Sequence, residues 1–140
     1  MTCSPGLLKN LGIKLAMELT KYKEVAEQRM FQAILVQAFE DALNQSAFKK
    51  ETYWKQDSHL WFIGNSKDFQ DVCWGAEMDP DFIRQEYIKL IKEKKVFFTQ
   101  TQVSWLRYRD LYKRYRAAGD KESRRKIREL IIRENLDKLA

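Results

Sequence analysis

DFQDVCWGAEMDPDFIRQEY, residues 68–87, is the stretch that decides how the chain is read. Asp79-Pro80 divides it. Asp is a strong helix N-cap, and Pro at the first helical position has no amide hydrogen to leave unsatisfied. A helix is therefore expected from Pro80 to about Lys94, with Phe82, Ile83, Tyr87, Ile88 and Ile91 inward. Upstream, Ser66 can cap a second helix. Asp68 lies in its first turn, where the positive helix end favours a carboxylate, and Phe69, Val72, Cys73 and Ala76 make its inner face. Two short helices around a tight corner form the plan of a helix-turn-helix unit. Cys73 suits the small packing position on the first helix, Met78 the apolar plug at the turn and Ile83 the anchor on the second. The turn glycine usual in such units is missing, and Glu77 stands in its place.

Outward from this corner the chain also reads as helical. It has 140 residues with only five Gly and two Pro, a scarcity that suits helices and short turns better than an all-β fold. Thr20 can cap a long helix through about Asn44, with Phe31, Ile34, Leu35, Ala38 and Ala42 at steps of three and four. Met30, Ala33, Phe39 and Leu43 widen that stripe, so the helix is expected to run through the core with apolar surface to spare, which would suit a homodimer. Another helix is expected from Lys49 to Phe62, with Tyr53, Trp54, Leu60 and Trp61 inward and Gly64-Asn65 as its exit. VFFTQTQV, residues 96–103, reads as an extended connection. Two more helices follow, about Gln102–Ala118 and Lys121–Asn135, with Gly119-Asp120 ending one and capping the next. The expectation is a single all-α domain of five or six helices. It has a loose N-terminal arm or short helix over 1–19, a helical core over 20–94 with the corner at about 66–94, and a basic helical hairpin at about 102–135 within 102–140.

Nothing in the sequence spans a membrane, because no run of 18 or more apolar residues occurs. The start, MTCSPGLLKNLGIKLAMEL, has a faint signal-peptide character, but Lys9 and Lys14 interrupt it and Glu18 follows where a small-residue cleavage site belongs. Cys3 and Cys73 lie seventy residues apart and give no disulfide framework, which fits a reducing cytoplasm.

The series Trp61, Phe69, Val72-Cys73, Ala76, Asp79-Pro80 and Ile83-Arg84 resembles a group of small phage and bacterial proteins. These share a tryptophan, an F-x-x-[VI]-C segment and D-P-x-x-[VI]-R. The resemblance covers roughly residues 33–88, including the helix AILVQAFEDAL. Those proteins are helix-turn-helix-like and mostly without assigned function. The resemblance implies a phage or prophage origin and a bacterial host cytoplasm. It brings no chemistry with it, and it leaves the basic C-terminal region uncovered.

Charge separates that region from the rest. Residues 1–104 carry 14 Lys and Arg against 14 Asp and Glu, whereas residues 105–140 carry 12 against 6. The entire net charge of +6 thus resides in the last quarter of the chain. Within SWLRYRDLYKRYRAAGDKESRRKIRELI, residues 104–131, Tyr108, Leu111, Tyr112 and Tyr115 share one helical face and Arg109, Lys113 and Arg116 another. In the following helix Ile127, Leu130 and Ile131 are expected inward, with Lys121, Arg125 and Arg128 outside. Two readings stand side by side: a surface that tracks a phosphate backbone, and a solvated helix face rich in cations. The tyrosines are expected to be core, with stacking on bases as the alternative.

The residues assigned to nucleic acid, with double-stranded DNA first, are Arg107, Arg109, Lys113, Arg114, Arg116, Lys121, Arg124, Arg125 and Arg128 for phosphates. Arg84 and Gln85 are the candidate base readers, since Arg suits guanine and Gln suits adenine. Asp79 and Asp81 beside them would repel phosphate. The other reading is a protein that binds a host protein, such as RNA polymerase or a defence complex, through electrostatic steering. No zinc spacing, G-x-x-x-x-G-K-[ST] loop or G-x-G-x-x-G turn occurs. His59 cannot share a helical face with both Asp57 and Ser58, and Cys73 lies on an apolar face. The expectation is a binding protein and not an enzyme, with no cofactor and no metal.

Overall fold

The computed structural model describes residues 5–139, so Cys3 lies outside them. The described chain is all helical, with eight helices: α1 (Pro5–Asn10), α2 (Ile13–Thr20), α3 (Ala26–Leu43), α4 (Lys49–Gly64), α5 (Lys67–Gly75), α6 (Pro80–Lys92), α7 (Gln100–Ala117) and α8 (Lys121–Leu139). No described helix is long and apolar enough to cross a membrane. The chain divides into two compact units. One comprises residues 1–44 and 54–97, the other 45–53 and 98–140.

The count of eight corrects the expected five or six, and the reason lies at the N-terminus. The segment read as an arm forms α1 and α2, whose Leu7, Leu11, Leu15 and Leu19 are all buried. A leucine every fourth residue gives this segment a core-facing stripe despite its lysines. Thr20 does not cap a long helix. It ends α2, and its hydroxyl donates back to the Ala16 carbonyl at 2.8 Å. The next helix starts only at Ala26. Gln32 of α3 is buried and donates to the carbonyls of Glu18 (3.1 Å) and Lys21 (2.8 Å), satisfying the end of α2. Arg29 does the same for Lys23 and Glu24. The inward face of α3 is Gln32, Leu35, Val36, Ala38, Phe39 and Ala42, while Ile34 and Met30 point to solvent.

The first unit is built around rings. Phe62 stacks on Tyr87 with centroids 4.2 Å apart and lies 4.6 Å from Phe39 and 5.9 Å from Phe69. Here the expected inward face of α4 is corrected. Phe62, Lys55 and Thr52 are the buried residues of α4, whereas Trp54 and Leu60 are exposed. A Thr-Lys-Phe series at steps of three and seven does not read as apolar. Lys55 is accommodated because its ammonium donates to the Phe97 carbonyl and sits 5.7 Å from the Phe97 ring centre. Burial pulls its pKa down from 10.5 to about 8. His59, one turn on, lies 2.6 Å from the Tyr87 hydroxyl through Nδ1. Burial, and then the charge of Lys55, lower its pKa.

The corner between α5 and α6 follows its sequence closely. The Ser66 hydroxyl accepts the Phe69 amide at 3.2 Å, and Asp79 accepts the Asp81 amide at 2.9 Å with Pro80 opening α6. Cys73, Met78 and Ile83 are all buried. Desolvation lifts the Cys73 thiol to about 12, which makes it a packing residue with little thiolate character. The turn closes as a Schellman motif. Met78 N–H donates to Cys73 O and Glu77 N–H to Trp74 O, both at 2.9 Å. Glu77 takes the left-handed position at φ 59°. Glycine is the usual occupant there, but here Gln28 donates to the Glu77 carboxylate at 2.8 Å and Lys23 lies 3.8 Å from it. Gly75, two residues earlier, has another task. A Cβ there would fall 2.3 Å from the Phe31 ring, so only glycine lets α3 approach α5 this closely.

The second unit holds α7, α8 and the start of α4. The Thr99 hydroxyl accepts the Gln102 amide and the Gln102 side chain accepts the Thr99 amide, a complete capping box. The connection before it carries no strand, and Gln100 and Thr101, expected as extended, already belong to α7, two residues before the expected start at Gln102. Asp120 accepts the Ser123 amide at 2.7 Å and starts α8. Ser104 pairs with Glu134, and Tyr115 with Arg128, so α7 and α8 run antiparallel. Ile131 is buried, but Leu130, expected inward, is exposed.

Candidate nucleic-acid interface

The cations of α7 and α8 fall into two sets. Some are committed to the protein. Arg109, expected on the outer stripe, turns back instead. Its guanidinium covers the Tyr53 ring at 4.6 Å and donates to the Tyr53 carbonyl at 3.5 Å. Arg114 pairs with Asp110 at 3.1 Å, one helical turn away, and Arg107 lies 3.9 Å from Glu134. Arg107 and Arg114, with Arg133, Asp110, Glu134, Leu111 and Leu130, line a groove of about 300 Å³ between the two helices.

The other set faces solvent. Lys113, Arg116, Lys121, Arg124, Arg125 and Arg128 are exposed, and none has a carboxylate within ion-pair distance among the described residues, although the charge of Arg124 reaches Asp120. Arg124 donates to the Ala118 carbonyl at 3.1 Å, where α7 ends. Arg128 donates to the Tyr115 hydroxyl at 3.2 Å. That bond and the nearby charge lower the Tyr115 pKa. Three acidic side chains of this stretch are engaged locally, Asp110 with Arg114, Asp120 as a cap and Glu122 with Lys126 at 3.7 Å, while Glu129 is exposed one turn after Arg125. Cations outnumber carboxylates along the turn and its flanking helix ends, so a net positive potential remains there.

The tyrosines do not form a sealed core. The rings of Trp105, Tyr108, Tyr112 and Tyr115 succeed one another at 5.8, 5.5 and 6.2 Å. All are partly accessible, and Tyr112 is 38% exposed. Sequence spacing puts the three tyrosines on one face, but no sequence signal distinguishes a ring ladder from a core stripe or adds Trp105 to it.

Arg84 and Gln85 belong to the other unit. Arg84 is half-buried. One terminal nitrogen donates to the Ile63 carbonyl at 3.2 Å, and its Nε is buried without a hydrogen-bond partner. It closes the end of α4. Gln85 is exposed. Asp79 and Asp81 at the start of α6 are exposed as well. Comparison with protein-family models, curated proteins and solved structures yields no match to this chain.

Proposed function

We propose that the chain binds nucleic acid through the exposed cations of α7 and α8, and that it is a small phage-type regulator working in a bacterial cytoplasm. The observation that carries the binding is the set Lys113, Arg116, Lys121, Arg124, Arg125 and Arg128, six exposed cations with no carboxylate within ion-pair distance among the described residues. Phosphate contacts of this kind release condensed counterions and give affinity independent of sequence. The phage origin rests on the resemblance of residues 33–88 alone, and the regulatory role on the helix-turn-helix-like corner taken together with the basic helices. The buried Cys73, Met78 and Ile83 support a helix-turn-helix-like reading of the α5–α6 corner. With Arg84 engaged at Ile63, base reading by α6 falls to Gln85, and the corner serves the fold more than recognition.

The test is a mobility shift across a salt series. If all six cations meet phosphates, the logarithm of affinity for duplex should fall with the logarithm of salt at a slope of about −5. Reversing Lys113, Arg116 and Arg125 to Glu should cut affinity at least about a hundredfold at low salt and leave helicity unchanged. Unaltered affinity in that triple variant would remove the proposal.

A second reading, a host-protein partner such as RNA polymerase, has its own support in the first unit. Ile13, Met17 and Trp74 are 82%, 66% and 61% exposed, more than a helical surface requires. A stable complex from host lysate with no shift of DNA or RNA would favour it.

A further inference from the structure

The chemistry at the far end of α7 is more particular than positive charge. Tyr112 and Tyr115 lie three residues apart with ring centres 6.2 Å apart. Each ring has a guanidinium over one face. Arg116 stands 5.4 Å from the centre of Tyr112, and Arg128 stands 5.8 Å from that of Tyr115. Farther back, Lys49 lies 5.5 Å from the Tyr108 ring. Rings with adjoining cations, repeated along one helix, answer the two needs of an unpaired strand: a face for each base and a charge for each phosphate. A duplex offers such rings little, because its base faces are already stacked on one another. The spacing agrees. Ring centres 5.5 and 6.2 Å apart exceed the rise of about 3.4 Å per nucleotide in a stacked strand, so an extended strand matches them better.

Building on the nucleic-acid reading above, we infer that the preferred ligand is single-stranded nucleic acid. Bases stack on Tyr112 and Tyr115, and phosphates meet Lys113, Arg116, Arg124 and Arg128. Tyr112 is the leading contact, since it is the most exposed of the four rings. The hydroxyl of Tyr115 holds Arg128 over one face of its ring, so a base would stack on the face that the guanidinium does not cover.

The experiment measures fluorescence anisotropy with three labelled probes: oligothymidylate, a mixed-sequence duplex of equal length, and polyglutamate. Oligothymidylate should bind at least about tenfold more tightly than duplex. Changing Tyr112→Leu together with Tyr115→Leu should weaken oligothymidylate binding by about tenfold or more and duplex binding by far less, through the loosened Arg128 alone. The Tyr112→Phe variant keeps the ring, loses only a hydroxyl that holds no cation, and should bind like the parent chain. Circular dichroism checks the helices, and the single change at exposed Tyr112 replaces the double Leu variant if that fails to fold. Equal affinity for strand and duplex, with the Leu variant indifferent, overturns the single-strand inference. Charge reversal that still abolishes binding would then preserve the phosphate reading. Absence of binding to both nucleic acids overturns the two together, and polyglutamate bound as tightly as oligothymidylate points to an acidic protein partner instead.

Discussion

In the first unit, Phe39, Phe62, Phe69 and Tyr87 meet in a closed ring cluster, and leucines from α1 and α2 are buried with them. In the second, the described residues bury only Thr52, Gln102 and Ile131, two of them polar. Apolar burial is the main source of stability, so the second unit must draw on directional contacts. These include Gln102 donating to the Ser46 carbonyl, Trp105 to the Ala47 carbonyl, Ser104 to Glu134, and Arg109 over Tyr53. The difference tracks the charge. Cations that would be costly to enclose are concentrated where little is enclosed.

The sharpest way to break this comparison is a cavity in each unit. Phe62→Ala should cost about 3–5 kcal/mol in denaturant unfolding, while Ile131→Ala should cost about 2 kcal/mol or less because its site is already open to collapse. Hydrogen exchange should then show the amides of α7 and α8 opening locally, ahead of those of α3 and α6. Equal costs and equal protection would erase the distinction.

Lys55 tests the first unit through pH. Its folded pKa is about 8 against an ordinary 10.5. Below pH 8 both states hold the proton, and the burial penalty is present in full. Between 8 and 10.5 the unfolded chain keeps a proton that the folded chain has lost, so this site's contribution to stability rises with pH. The stability of Lys55→Met relative to the parent should therefore fall by on the order of 3 kcal/mol across that window. A flat difference would mean that the ammonium is not desolvated. The smallest effect is expected at the entry to the second unit. Thr99→Ala removes half of the capping box and should lower the stability of α7 by about 1 kcal/mol, read as earlier exchange of its first-turn amides.

The sequence reading succeeded where local chemistry decides the outcome. Ser66, Asp79-Pro80 and Asp120 are caps because their side-chain oxygens and the missing proline amide act within one helical turn. It failed where tertiary context overrides composition. Lys55 and Thr52 are inward and Trp54 and Leu60 outward on α4, since a carbonyl from Phe97 and a ring environment make room for an ammonium that periodicity assigns to solvent. The N-terminal segment, read as a loose arm or a short helix, forms two helices, because its lysines mask a four-residue leucine spacing. On α7 and α8 the excess of charge was legible residue by residue. Which cations are spent on Tyr53, Asp110 and Glu134 was not, because those partners depend on packing between elements.

Glu77 illustrates why consensus engineering needs the neighbours in view. Swapping a left-handed turn residue for glycine ordinarily relieves the backbone and stabilises a protein. Here the same swap would strip a nearly inaccessible lysine, Lys23 at 4% exposure, of its counter-charge and leave the Gln28 amide without its acceptor. What looks like an unoptimised corner is a trade in which torsional discomfort at one position is the condition for neutralising a cation at another.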